Sequence, residues 1–216
     1  MKQITFYFDV ISPYAYLAFE QLPGVLRGIS CSVIYKPVLF AGLLKHHSNL
    51  GPAEIAPKRD WTYRHVQWLA HTAGIPLHMP LSHPFNPLSL LRLSLTCQPE
   101  SPGQLNRYVC ERILRHVWRG GFEATDAQRL EGLATQLAPS ADVNSSTIKE
   151  VLKSNTALAL SEGIFGVPSI AVDDKIFWGL DALPMLRDHL LGGPWFEGPF
   201  WQAASAVPVG VSRKDR

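Results

Sequence analysis

Residues 6–18 read Phe-Tyr-Phe-Asp-Val-Ile-Ser-Pro-Tyr-Ala-Tyr-Leu-Ala, an aromatic strand that runs straight into the start of a helix, with Ser12 and Pro13 at the joint. A serine at the N-cap accepts from an orphan N–H of the first turn, and a proline at the first helical position has no N–H to lose. The same joint suits an anion. Unpaired N–H groups and the positive end of the helix dipole meet in front of Ser12, which favours a thiolate, carboxylate or phosphate there. Capping alone is also a sufficient reason for Ser12.

Outward from the joint, residues 3–9 alternate as a strand, and residues 13–27 carry Tyr16, Leu17, Glu20, Gln21 and Val25 in helical register up to Gly28. A second strand over 31–38 completes a strand-helix-strand unit with a right-handed crossover, so a parallel sheet opens here. A long stretch with no convincing strand follows. Asp60 is predicted to cap a helix closed by Gly74, Asn86-Pro87 to start another that runs to about Cys97, and residues 103–119 and 126–137 to form two more. Thr147 to Glu150 matches a capping box for a helix that ends at Gly163. Strands return where Gly166 to Val172 reads as a turn feeding a short apolar strand, with Lys175 to Trp178 as its partner across the hairpin signal Asp173-Asp174, and Asp181 is predicted to cap a last helix that ends at Gly192-Gly193. The aromatic part of the segment after Pro194 should pack on the body, and Ser212 to Arg216 should fray.

The reading is therefore an α/β chain in three parts: a sheet domain over 1–40 and 164–193, an inserted helical domain over 41–163, and a tail over 194–216. A chain of 216 residues with 46% hydrophobic and 18% charged residues can bury one good core, and no segment is apolar for long enough to span a bilayer. The net charge of +2 is mild and the basic residues are scattered along the chain, so neither a nucleic acid nor a membrane is an expected partner. Cys31, Cys97 and Cys110 form no Cys-x-x-Cys pair, and the chain starts on a strand without a signal-peptide pattern, so reduced thiols and a cytoplasmic location are expected. No metal is expected either. His46 and His47 would point about 100° apart on a helix, and no His-Glu-x-x-His pattern is present.

Phe6 to Asp9, Ser12-Pro13-Tyr14 and Tyr16-Leu17-Ala18 together resemble the active-site motif of the 2-hydroxychromene-2-carboxylate isomerases, which are similar to the kappa-class glutathione transferases and belong with the DsbA-like branch. Asn49-Leu50-Gly51-Pro52, Gly74-Ile75-Pro76, Phe165 to Pro168 and Trp178 to Asp181 fall in that family's order, so the resemblance runs from about Ile4 to Leu191. It implies a thioredoxin fold with an inserted all-helical domain and glutathione as cofactor. Where thiol oxidoreductases of this fold carry cysteine, Ser12 would instead donate its hydroxyl proton to the thiolate of glutathione. Val167-Pro168 resembles the cis-proline loop that pairs with the cysteinyl backbone of the tripeptide, and Trp178, Gly179, Leu180 and Asp181 stand where the γ-glutamyl end binds. Leu180 and Ala182 depart from the polar residues the family often has, which removes two polar contacts to glutathione.

For the second substrate, Lys45 matches a carboxylate-binding lysine, although a solvated lysine is the plain alternative. Asn49 and Pro52 would shape the loop over the site, and Phe85 would stack on an aromatic ring. The implied activity is a glutathione-dependent isomerase that interconverts 2-hydroxychromene-2-carboxylate and trans-o-hydroxybenzylidenepyruvate in aromatic hydrocarbon degradation. The alternatives are a kappa-like transferase that conjugates electrophiles and a non-catalytic glutathione-binding protein. The substrate would be a small aromatic carboxylate, and a homodimer is left open.

Overall fold

The structure is a computed structural model that describes residues 1–97 and 103–211. Its sheet has the strand order β2-β1-β3-β4, where β1 is Lys2–Phe8, β2 Cys31–Pro37, β3 Ser169–Val172 and β4 Lys175–Trp178. β1 pairs parallel with β2 and antiparallel with β3, and β3 pairs antiparallel with β4. The most aromatic strand is thus central. Its two-residue alternation sends Ile4, Phe6 and Phe8 into the main core and Tyr7 into a smaller cluster with Val38, Leu43, Ile164 and Val167.

Between β1 and β2 runs α1 (Pro13–Val25), which packs on the helices that follow. Between β2 and β3 lie α2 (Phe40–His46), α3 (Ala56–Ala73), α4 (Leu88–Leu95), α5 (Arg107–Trp118), α6 (Ala127–Leu137) and α7 (Ser146–Ser161). The chain closes with α8 (Leu183–Leu190) and α9 (Pro199–Ala204). One main core joins sheet and helices, from Phe6 and Phe8 to Leu90, Ile113 and Trp118. The tail joins it through Phe196, and Glu197 reaches the Lys175 ammonium at 3.3 Å. The fraying expected of Ser212 to Arg216 falls outside the described residues.

Several helix starts differ from the sequence reading, for local reasons. α3 begins before Asp60, because Pro57 stands in its first turn and proline is favoured there. Ser145, not Thr147, caps α7 by accepting from Ile148 N at 3.3 Å. Asp181 lies inside a short 3-10 turn, Leu180–Ala182, and makes no capping bond to α8. Leu105 stays outside α5, which Asn106 caps, and pairs with Tyr35 to cover part of the edge of β2. Helix α2 had no counterpart in the sequence reading.

Candidate functional site

The turn from β1 into α1 is held from every side. Ser12 N donates to Asp9 O at 3.1 Å, and Trp118 Nε1 donates to Val10 O at 2.9 Å. His83 Nε2 donates to Ile11 O at 2.8 Å. The Asp9 carboxylate accepts from Ile11 N at 3.1 Å and from Phe40 N, the first residue of α2, at 2.8 Å. One buried acid therefore fixes both the turn that carries Ser12 and the start of the helix that carries Lys45.

Ser12 caps α1 as its sequence predicts: its Oγ accepts from Ala15 N at 3.2 Å, and its hydroxyl donates to Val167 O at 3.4 Å. The second bond is at the long limit of useful geometry, so its proton is weakly engaged. Among the described residues, the N–H groups of Tyr14 and Val167 have no acceptor. The Val167–Pro168 peptide is cis, as the sequence expectation had it, and so is His83–Pro84, which was not anticipated.

Ser12, Lys45, Asn49, Pro52, Phe85 and Val167 line one cavity of about 440 Å³, which also takes in Asp9, Tyr14, Glu54 and His83. Lys45 is exposed and forms no ion pair among the described residues. Pro168, Trp178, Gly179, Leu180 and Asp181 do not line that cavity. They form the adjoining strand and turn, where Gly179 N donates to Pro168 O at 2.9 Å. Gly179 has φ +97°, and a Cβ there would stand 2.5 Å from Asp181 Oδ1, so the turn needs glycine. Leu180 sends its side chain into the core. Asp181 lies close enough to Tyr14 for its charge to help raise the phenol pKa, behind the larger effect of burial.

Two cavity residues carry chemistry that the sequence reading did not assign. Burial raises the Asp9 carboxyl from 3.8 to about 7, against the lowering pull of the backbone N–H groups that it accepts. Burial also lowers His83, whose ring is then neutral at pH 7. With Nε2–H committed to Ile11 O, its Nδ1 is an acceptor for the Tyr63 hydroxyl at 2.7 Å. Among the described residues no group of three or more His, Cys, Asp or Glu side chains is placed to hold a metal ion. The thiols take no part: Cys110 is fully buried with its pKa raised by burial, and none of the three lines the cavity. Among the described residues no helix is long and apolar enough to cross a membrane.

With this geometry in hand, comparison with known proteins gives a consistent result. The family model of the DSBA-like thioredoxin domain matches residues 3–191. A 2-hydroxychromene-2-carboxylate isomerase of Sphingobium xenophagum is 31% identical over 198 residues, covering 88% of this chain and 98% of the relative. The human glutathione S-transferase kappa 1 is 28% identical over 222 residues, covering 95% of this chain and 97% of its own. Among solved structures, a 2-hydroxychromene-2-carboxylate isomerase superposes with a TM-score of 0.76 at 22% identity, over 95% of this chain and all of the other, a likeness of fold.

Proposed function

The chain belongs to the DsbA-like thioredoxin family, beside the 2-hydroxychromene-2-carboxylate isomerases and kappa-class glutathione transferases, and from that membership we propose that it is a glutathione-dependent isomerase. Its reaction would interconvert 2-hydroxychromene-2-carboxylate and trans-o-hydroxybenzylidenepyruvate. The observation that carries the proposal is the cavity itself: a weakly engaged Ser12 hydroxyl and the unpaired N–H groups of Tyr14 and Val167 on one wall, with the free Lys45 ammonium at the rim.

Glutathione, when bound, supplies a thiol that can add to a conjugated double bond and leave again, freeing rotation about that bond. Ser12 turns its hydroxyl proton from Val167 O towards the sulfur and, with the dipole of α1, favours the ionised thiol at neutral pH. Val167 offers N–H and C=O to the tripeptide backbone in the manner of an added strand, and the Asp181 carboxylate suits the γ-glutamyl ammonium. Trp178, half exposed beside Phe165, and the Gly179 turn close that end. Lys45 receives the carboxylate of the aromatic acid, Phe85 packs on its ring, and Asn49 and Pro52 shape the loop above.

Ser12→Ala is the test, followed by the ultraviolet spectrum of the chromene carboxylate with glutathione saturating. Loss of one preorganised donor should cut turnover about 10- to 1000-fold. Unchanged turnover would remove Ser12 from the mechanism. The likeness to the kappa enzyme supports a second reading, conjugation to electrophiles. Counting glutathione separates the two, since conjugation consumes it and isomerisation returns it.

A further inference from the structure

A second cavity, of about 490 Å³ and sharing no lining residue with the first, lies between α5 and α6. Arg112 and Arg115 stand three residues apart on one face of α5, Arg119 caps the end of that helix, and Arg129 of α6 joins them in the lining. Basic residues that are scattered in sequence are thus gathered by the fold. Their partners are unequal. Arg115 pairs with Glu20 at 2.7 Å and with Glu111, and Arg119 pairs with Glu20 at 3.2 Å. Among the described residues Arg112 reaches only the amide oxygen of Gln136, and its Nε is buried without a partner. Arg129 donates to the carbonyl oxygens of Glu123 and His116 and stands over the Phe122 ring. The Asp126 carboxylate accepts from Arg129 N at 2.9 Å, but the Asp126 and Glu123 carboxylates act on the Arg129 guanidinium only through their charge, and among the described residues neither forms an ion pair with it.

Among the described residues two carboxylates therefore pair with only two of the four guanidinium groups, and the two that lack an ion pair border the same open space. Arg has a planar fork of donors that suits phosphate oxygens, and partial exclusion of water strengthens such a bond. Gly132 of α6 also lines the cavity, and a Cβ there would meet nothing within 4 Å, so the space in front of it is open. We propose that this groove binds a small molecule bearing a phosphate or diphosphate, with Arg112 and Arg129 as its main donors.

Calorimetric titration of the full chain with inorganic pyrophosphate tests this. Saturable binding of one pyrophosphate per chain is expected, weaker at high salt. Affinity should fall about tenfold or more in Arg112→Gln, as for a lost charged hydrogen bond. Gly132→Glu should do the same by filling the groove with a carboxylate, and it should fold well because glycine is a poor helix former. Glutathione binding should be unaffected in both. A second arm with adenosine diphosphate sorts a free diphosphate from a nucleotide, and saturable binding of either supports the groove. No saturable binding of either pyrophosphate or adenosine diphosphate to the wild type, or undiminished binding in both variants, would overturn the proposal.

Discussion

Helix α1 meets charge differently along its length. At its N-terminus, Ser12 and the N–H groups beside it stand open to a cavity, and the nearby buried acid, Asp9, binds its proton up to about pH 7. Two turns on, Glu20 answers Arg115 at 2.7 Å and Arg119 at 3.2 Å, with its own side chain only 10% exposed. One end leaves donors without an acceptor among the described residues, at a cost in stability, and the other satisfies charge to hold α1 against α5. Under the proposed function, stability and binding are thus separable along a single helix.

The strongest way to break that separation is at Asp9. Its folded pKa of about 7 lies above the ordinary 3.8, so the folded state holds the proton more tightly than the unfolded chain does. The stabilisation is complete below the unfolded value and is lost as pH rises to the folded one, a change of about 4 kcal/mol for about three pKa units. Asp9→Asn cannot titrate. The unfolding free energy of the wild type minus that of the variant, from urea titrations, should therefore fall by about 3 kcal/mol between about pH 4 and pH 7. A flat difference across that range would mean that Asp9 is ionised throughout.

Glu20→Ala should have the next largest effect, confined to the other end. Among the described residues, removing one carboxylate from a half-buried network leaves Arg115 with Glu111 alone and Arg119 with no ion pair, a loss of about 2–3 kcal/mol. Glutathione affinity, measured below the unfolding transition, should not move. If it falls together with stability, the two ends are coupled through α1 and the separation fails.

What could be read in the sequence follows the range of the interactions involved. The joint at Ser12 was legible because its cap, its proline and its helix are neighbours in the chain, and Val167-Pro168 was legible through its place in the family's motif order. Asp60, Thr147 and Asp181 are good capping residues in isolation, but Pro57 moved the start of α3, Ser145 took the cap of α7, and Asp181 fell inside a 3-10 turn. Helix α2 carries no local signal, since Leu39 has no side-chain cap to give. Its first N–H groups are answered from afar, Leu39 N by Thr156 and Phe40 N by Asp9. For the same reason Asp9 and His83 stayed hidden as site residues: each acts through partners tens of residues away. The arginine groove is likewise made by α5 meeting α6, and spacing along the chain shows only half of it.

Lys45 sharpens the comparison with the smallest effect, because it is exposed where Glu20 is covered. An exposed ammonium that steers a carboxylate is worth about 1–1.5 kcal/mol at low salt, so Lys45→Ala should raise KM for the aromatic acid roughly tenfold and leave kcat nearly unchanged. Salt should distinguish it from the ion pairs of Glu20. At an ionic strength of about 1 M the Debye length shrinks to about 3 Å, and the wild-type KM should climb towards that of the variant. The destabilisation of Glu20→Ala should largely persist in the same buffer, since the Glu20 carboxylate is itself buried against α5. A KM difference for Lys45→Ala that survives high salt would place that ammonium in direct, desolvated contact with the substrate instead of at an open rim.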